Sequence, residues 1–386
     1  MQRSEGRIRV SHAGVLPRPD DLQQLLLAGE GSRAAFDARL ESAVAEVVRH
    51  QADIGIDVVN DGEVAKRGGF SGYVRERLSG IEQRPLPDGL RTRSPNLRDQ
   101  RDFPGFYAAG LGGVGRGVNA NRASTNNDPY FCTAPLAYIG AEAVQADIAR
   151  LQQATAGLDV EAYLPAITPG TVEHWLFNEH YPDDEALLFA IAEAMREEYL
   201  AITDAGLILQ LDDPDLPDGW QMYPEMTVAE YRDYATLRVE ALLHALRGIP
   251  EEKVRLHVCW GSQHGPHRDD IALRDIIDIV LRVPAQCLSV EAANPTHEHE
   301  WRLWEEVKLP EGRILMPGAV GHASDLIEHP ELVCQRLLRF AGLLGRENVI
   351  AGTDCGLAAR VGHPEITWAK LEALAAGARL ASEALW

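Results

Sequence analysis

Val254-Arg255-Leu256-His257-Val258-Cys259 is a short apolar run that ends in two strong metal-ligand types. In an extended strand, residues i and i+2 face the same side, so His257 and Cys259 can close on one ion from a single strand end. Much later, Asn348-Val349-Ile350-Ala351-Gly352-Thr353-Asp354 leads into Cys355 in the same manner. Imidazole and thiolate are ligands that zinc favours, and three protein ligands with one open position make a catalytic arrangement. The competing reading makes the two cysteines small packing residues and His257 a hydrogen-bonded interior histidine. Where the other strands place their polar residues decides between them.

Working outward, apolar strand candidates alternate with helical patterns, the signature of a parallel α/β fold. The strand candidates are Ile8–Ser11, Asp57–Asn60, Val160–Ile167, Leu207–Leu211, Val254–Val258, Cys287–Val290, Arg313–Met316 and Asn348–Ala351. Eight is the number that closes a (β/α)8 TIM barrel. Between them, Asp183-Asp184-Glu185 opens an amphipathic run through Leu187, Leu188, Ile191 and Tyr199 that Gly206 can end. Val228 to Arg247 and Pro330 to Leu344 form two more such runs, each stopped by a glycine. The expectation is one catalytic barrel over residues 1–386, with a long insertion after strand two at 65–130 that folds over the barrel mouth. That stretch carries Gly-Leu-Gly-Gly-Val-Gly-Arg-Gly at 110–117. No apolar strand precedes those glycines and no capped helix follows, so a dinucleotide cradle is not indicated.

The composition, 45% hydrophobic and 25% charged over 386 residues, is that of a globular protein with ample core. A net charge of −21 argues against nucleic acid as a partner, since such proteins need a basic stripe to displace counterions. Arg75, Arg77 and Arg84 remain a candidate cluster for a small anion. Neither a secretory h-region nor a membrane span is read from the sequence. Five dispersed cysteines oppose a disulfide framework and point to the cytoplasm, with Cys132, Cys287 and Cys334 as packing residues.

In a barrel of this kind the chemistry sits at the C-terminal ends of the strands. Here those ends read His12-Ala13-Gly14 with Arg18 beyond, Asn60-Asp61-Gly62-Glu63, Pro169-Gly170 with His174 and Trp175 beyond, and Asp212-Asp213-Pro214. The later ones read His257-Val258-Cys259, Glu291, Gly318 to His322, and Asp354-Cys355-Gly356. Charged groups at the end of an apolar strand must find partners or water, and packing alone does not explain eight such ends. The pair His297 and His299 could suggest a second metal, although capping and lining a helix start explains them better.

His257-Val258-Cys259, Ser289-Val290-Glu291, Pro317-Gly318 and Asp354-Cys355-Gly356-Leu357 resemble, in order and strand position, the catalytic barrel of the cobalamin-independent methionine synthase superfamily. The resemblance runs from His12-Ala13-Gly14 to the C-terminal helix, and covers only the C-terminal half of the full-length synthases. Its short stand-alone members include the zinc enzymes that join coenzyme M to epoxides. The resemblance implies zinc held by His257, Cys259, Cys355 and, more exchangeably, Glu291. It implies that Glu63 and Asp212 grip the amine of a homocysteine-type acceptor and that His322 lies near the proton-donating histidine. Trp175 matches a ring-stacking tryptophan, and Asp218 sits where an acid faces the pterin. His12 and Arg18 are further substrate-binding candidates on the first loop, Arg18 as the cation that a sulfonate would need. Two departures stand out. Val15 occupies the place of a serine that binds the acceptor carboxylate, and the folate-holding arginine-cysteine pair is not recognisable in Thr125 to Phe131.

The implied chemistry is transfer of a methyl or other alkyl group onto a small thiol kept as thiolate by zinc. A homo-oligomer and a corrinoid protein as methyl donor are both compatible with the sequence. Addition of a thiol to an epoxide or another alkyl electrophile is an alternative that needs no folate. A metal-free decarboxylase or lyase on a similar barrel, and a non-catalytic binding barrel, complete the alternatives.

Overall fold

The computed structural model describes residues 1–67, 72–90, 93–112 and 128–386. Seven parallel strands form a curled sheet: β1 (Val58–Val59), β4 (Glu161–Ile167), β6 (Ile208–Asp212), β7 (Val254–Val258), β8 (Cys287–Val290), β9 (Ile314–Val320) and β10 (Gly352–Thr353), in that spatial order. The extended segment around Val10 takes the eighth position. Its Val10 pairs with Ala351 beside β10. On the other side, the Asp57 amide beside β1 donates to the Val10 carbonyl at 2.8 Å. The ring therefore closes as a TIM-type barrel, through strands that are long in the middle of the chain and very short at this seam.

The strands are valine-, isoleucine- and leucine-rich because both faces are covered, one by helices and one by the barrel interior. The helices follow the sequence signals. Asp183 caps Asp184–Asp204 by accepting from the Ala186 amide, and Leu187, Leu188, Ile191, Met195 and Tyr199 bury its inner face. Thr227 and Glu230 form a reciprocal capping box at the start of Val228–Ala245. Pro330–Leu344 ends at Gly345, whose φ of 88° only glycine adopts without strain.

A second, small sheet forms where β2 (Ile81–Gln83) pairs antiparallel with β3 (Tyr130–Cys132), which pairs parallel with β5 (Leu176–Asn178), beyond β4. The helix Leu97–Asp102 is tied to the segment after β6, where the Arg98 guanidinium donates to the carbonyls of Trp220, Tyr223 and Met226. The stretch 65–130 thus carries helices and a strand among its described residues rather than one extended loop. Its glycines at 113–117, and Thr125 to Asn127, lie outside the described residues. The three arginines proposed for a small anion have internal partners instead. Arg77 bonds Glu198 and Asp147, Arg84 bonds Glu179, and Arg75 lies over the Tyr130 ring. Among the described residues, no helix is long and apolar enough to cross a membrane.

Candidate metal and substrate site

Strand register brings the chemistry together. Asp212 on β6 stands beside His257 on β7, which stands beside Ser289 on β8, which stands beside Met316 on β9. Two residues further along, just past the ends of these neighbouring strands, stand Cys259 and Glu291. Cys355 follows β10, two strands beyond β8. A ring nitrogen of His257 and the sulfurs of Cys259 and Cys355 lie within 4.8 Å of one another. The sulfurs are 3.8 Å apart. His257 Nδ1 is 3.0 Å from the Ser289 hydroxyl, whereas its buried Nε2 has no hydrogen-bond partner. An orphaned imidazole nitrogen beside two sulfurs suits a thiolate-and-imidazole zinc site, and a partner on the other ring nitrogen is the usual support for a ligating histidine. Hydrogen bonding to Cys259 holds Cys355 well below the ordinary thiol range, against the upward push of burial.

Glu291 stands beside this trio and groups instead with His322 and Asp354. Its carboxylate accepts from the Trp260 amide at 2.8 Å and from Asn294 Nδ2 at 2.7 Å. Asp354 accepts from the amides of Ala292 and Ala293. Gly318 makes that possible, since a Cβ there would sit 1.9 Å from Asp354 Oδ1. His322 is buried with both ring nitrogens unpartnered, and burial lowers it to about 4, so it is a neutral imidazole.

The acid pair lies on the other side. Burial pushes Asp212 up to about 7, against the pull of His257. Gln210 Nε2 donates to Asp212 Oδ1 at 2.7 Å and to the Ala13 carbonyl at 2.6 Å. Glu63 Oε1 accepts from the Val15 amide at 2.7 Å. Both residues of that contact have left-handed backbone, Val15 at φ 24° and Glu63 at φ 56°. Such conformations cost about 1–3 kcal/mol each and persist only where the surroundings hold them, as the Val15 amide to Glu63 bond does here. Lys66, which the sequence reading passed over, places Nζ 3.3 Å from Glu63 Oε2.

Other candidates take different places from those expected. His12 is buried with Nε2 on Gln51 and Nδ1 beside the Tyr163 hydroxyl, so both ring nitrogens bond inside the scaffold and position the Gly14-Val15 turn. Arg18 donates Nε to the Val64 carbonyl and Nη2 to the Lys66 carbonyl, holding the Glu63 loop rather than presenting a cation to a sulfonate. Trp175 is 36% exposed at the end of the short helix after β4. Asp218 is buried and accepts from Gln263 Nε2 at 3.1 Å, in the stretch that follows Cys259. His297 stacks on Trp260 and bridges Asp270 and Glu300, which removes it from metal candidacy. Ser289 was read only as part of a motif, without a role, and Asn294 and Gln210 were missed. Their signal was spacing, two or three residues from a named ligand or acid on the same strand or its end.

Fold and site together define a class of barrel proteins with a cysteine-histidine cluster at the strand ends. The cobalamin-independent synthase catalytic domain matches residues 124–379, and the chain belongs to that family. It is 24% identical over 351 residues to the methionine synthase of Sulfolobus acidocaldarius, covering 89% of this chain and 84% of that protein. It is 23% identical over 368 residues to the 5-methyltetrahydropteroyltriglutamate–homocysteine methyltransferase of Vibrio vulnificus, but spans only 39% of that longer protein. Among solved structures, a B12-independent methionine synthase from Shewanella sp. W3-18-1 in complex with selenomethionine superposes with a TM-score of 0.72 at 21% identity. That match covers 98% of this chain and 99% of the other. At this identity the likeness establishes the fold.

Proposed function

We propose that the protein is a zinc-dependent methyltransferase acting on a small thiol, with a homocysteine-type acceptor and a methyltetrahydropteroyl-type donor, built as one catalytic barrel. The observation that carries this reading is the convergence of His257, Cys259 and Cys355 within 4.8 Å, on strand ends facing Asp212 and Glu63. His257, Cys259 and Cys355 would hold the metal, with Glu291 next to them. Zinc, when bound, supplies a Lewis-acidic centre that keeps a substrate thiol deprotonated at neutral pH.

The chain's own residues do the rest. Asp212 and Glu63 offer two buried carboxylates to an ammonium group, and a cation arriving beside Asp212 favours its ionised form. Ser289 fixes the His257 tautomer that leaves Nε2 free. His322, neutral and beside Glu291 and Asp354, would relay a proton to a leaving atom from one ring nitrogen while taking one up on the other. Trp175 offers a partly exposed ring face to a flat donor. A sulfonate acceptor is disfavoured, because Arg18 is bonded to backbone carbonyls. The five free cysteines suit a reducing cytoplasm.

The experiment compares wild type with Cys355→Ser for zinc content and for methyl transfer to homocysteine from methyltetrahydropteroyl polyglutamate. Loss of both in the variant is expected. A variant that retains stoichiometric zinc and full turnover overturns the assignment.

A further inference from the structure

β9 ends at Val320, and the chain passes through Gly321 and His322 into a loop that runs to the helix Pro330–Leu344. Residues 323–327 are all exposed, with Leu326 at 78% and Ile327 at 50%. The two large apolar side chains of this loop face outward, so polar contacts must place it. The Gly321 amide donates to Glu328 Oε1 at 2.9 Å. Glu328 Oε2 accepts from Lys370 Nζ, also at 2.9 Å. Lys370 stands on the helix Pro364–Leu385 with its side chain fully enclosed, and its ammonium also donates to the Leu326 carbonyl. Asp325 Oδ1 accepts from the Gly362 amide at 2.8 Å, which ties the loop to the segment that follows Cys355.

The pinned amide belongs to the residue just before His322. A Cβ built on Gly321 would lie 3.5 Å from Asp354 Oδ2 and 3.6 Å from Glu328 Oε1, so this backbone stands between the two carboxylates. His322 groups with Glu291 and Asp354, is 1% exposed, and has no hydrogen-bond partner on either ring nitrogen. Its direction therefore comes from packing and from the backbone on either side, and Glu328 holds the Gly321 end of that backbone. An enclosed ion pair is weak evidence for stability, because desolvation of both charges offsets their attraction. What the Lys370–Glu328 pair supplies is geometry, an anchor one residue from the imidazole.

We propose that Glu328 is the positioning residue for His322, with Lys370 as its counter-charge. Together they fix the Gly321 amide and with it the direction of the imidazole beside Glu291 and Asp354. The inference rests on the proton-relay reading of His322 above and adds what holds the relay in place. A misplacement of about 1 Å at a reacting group costs on the order of 100-fold in rate. An ion pair that only strengthened the fold would move the melting point and leave the imidazole where it is.

The test uses the zinc-loaded full chain with isotope-labelled histidine, observed by nuclear magnetic resonance. His322→Asn identifies the His322 ring signals by their loss. Glu328→Ala should shift or broaden those signals and leave the signals of His12 and His174, which bond elsewhere in the scaffold, in place. Methyl transfer to homocysteine from methyltetrahydropteroyl polyglutamate should fall about ten- to hundredfold in kcat, with KM for both substrates within about twofold. In a His322→Asn background the same replacement should change kcat by less than about twofold, since both changes act through one group. Glu328→Gln keeps an oxygen for the Gly321 amide and should fall between alanine and wild type, and it carries the same readouts where the alanine variant does not fold. Unmoved His322 signals overturn the proposal whatever the activity. So does a kcat loss that adds in full to that of His322→Asn. A His322→Asn protein with wild-type kcat, or a wild type without methyl transfer, removes the reading beneath it, and the histidine signals alone then decide whether Glu328 places the ring.

Discussion

Replacing Ser289 by alanine isolates the support of a single metal ligand. The Ser289 hydroxyl is 3.0 Å from His257 Nδ1, and both residues are almost fully enclosed, at 0% and 2% exposure. With the hydroxyl as acceptor, the ring carries its proton on Nδ1 and turns an unprotonated Nε2 toward the two sulfurs. Alanine leaves Nδ1–H without a partner in a dry place, at a cost of about 1–3 kcal/mol, and favours the tautomer that cannot ligate. Removing such a partner typically weakens metal binding roughly 10- to 100-fold, equivalent to about 1.4–2.8 kcal/mol. Competition against a chromophoric zinc chelator, under reducing conditions, measures this directly. The melting midpoint of the metal-free protein should fall by only about 1–4 °C, because the cost of that unpaired N–H is set against the large unfolding entropy of a long chain. Zinc affinity in Ser289→Ala indistinguishable from wild type would refute the claim that this bond orients His257.

Three further outcomes are expected. Gly318→Ala should dislodge the Asp354 carboxylate from the Ala292 and Ala293 amides and drag Cys355 with it, lowering zinc affinity at least tenfold in roughly the manner of other supporting-residue losses; unchanged affinity and an unchanged melt would contradict the close approach. Arg77→Met strips the buried Glu198, which also accepts from Tyr73 and Tyr138, of its cation. Urea unfolding should show a loss of about 3–5 kcal/mol, and a loss below about 1 kcal/mol would mean the pair is dispensable. Burial holds Asp213 up to about 8, above its ordinary 3.8. Its stability contribution is therefore complete below the unfolded value and is lost as pH rises through the folded one, since the unfolded chain ionises first. Asp213→Asn should raise stability relative to wild type more at alkaline than at acid pH, by at least about 1.4 kcal/mol across that window. A gain independent of pH would count against it.

The barrel was readable because its evidence is local: apolar runs with capped helices between them. Asp183, Thr227 and Pro330 mark helix starts by chemistry that acts within one turn. Less visible were places where distant segments meet. The last strand was expected at 348–351, whereas β10 is Gly352–Thr353, with Val349 and Ala351 in single bridges, because the register shifts between Gly352 and Thr353. The strand before it runs on through Val320, since Gly318 lets Asp354 press against it. His12 and Arg18 sit where the strand-end rule expects substrate contacts, but Gln51, Tyr163 and two carbonyls claim them, and no spacing in the sequence announces those partners. His257 and Cys259 were legible through period-two alternation, and Cys355 through the apolar run that leads into it. Lys66 was not, because a lysine at the mouth of a polar insertion looks like any solvated charge until Glu63 and Tyr73 close around it.

The seam of the barrel has a mechanical consequence. Between β10 and β1 the ring is closed by a bridge at Val10 and a few backbone bonds, so this is where the staves would part first on heating or in denaturant. An ion gripped by His257 and Cys259 on one stave and Cys355 on another would be a chord drawn across β8 and β9, ending beside that weak joint. Metal occupancy would then show in amide exchange around Val10, Ala351 and Val58, none of them a ligand, as slower opening of the joint. Loaded and stripped protein would differ most where the hoop is thinnest.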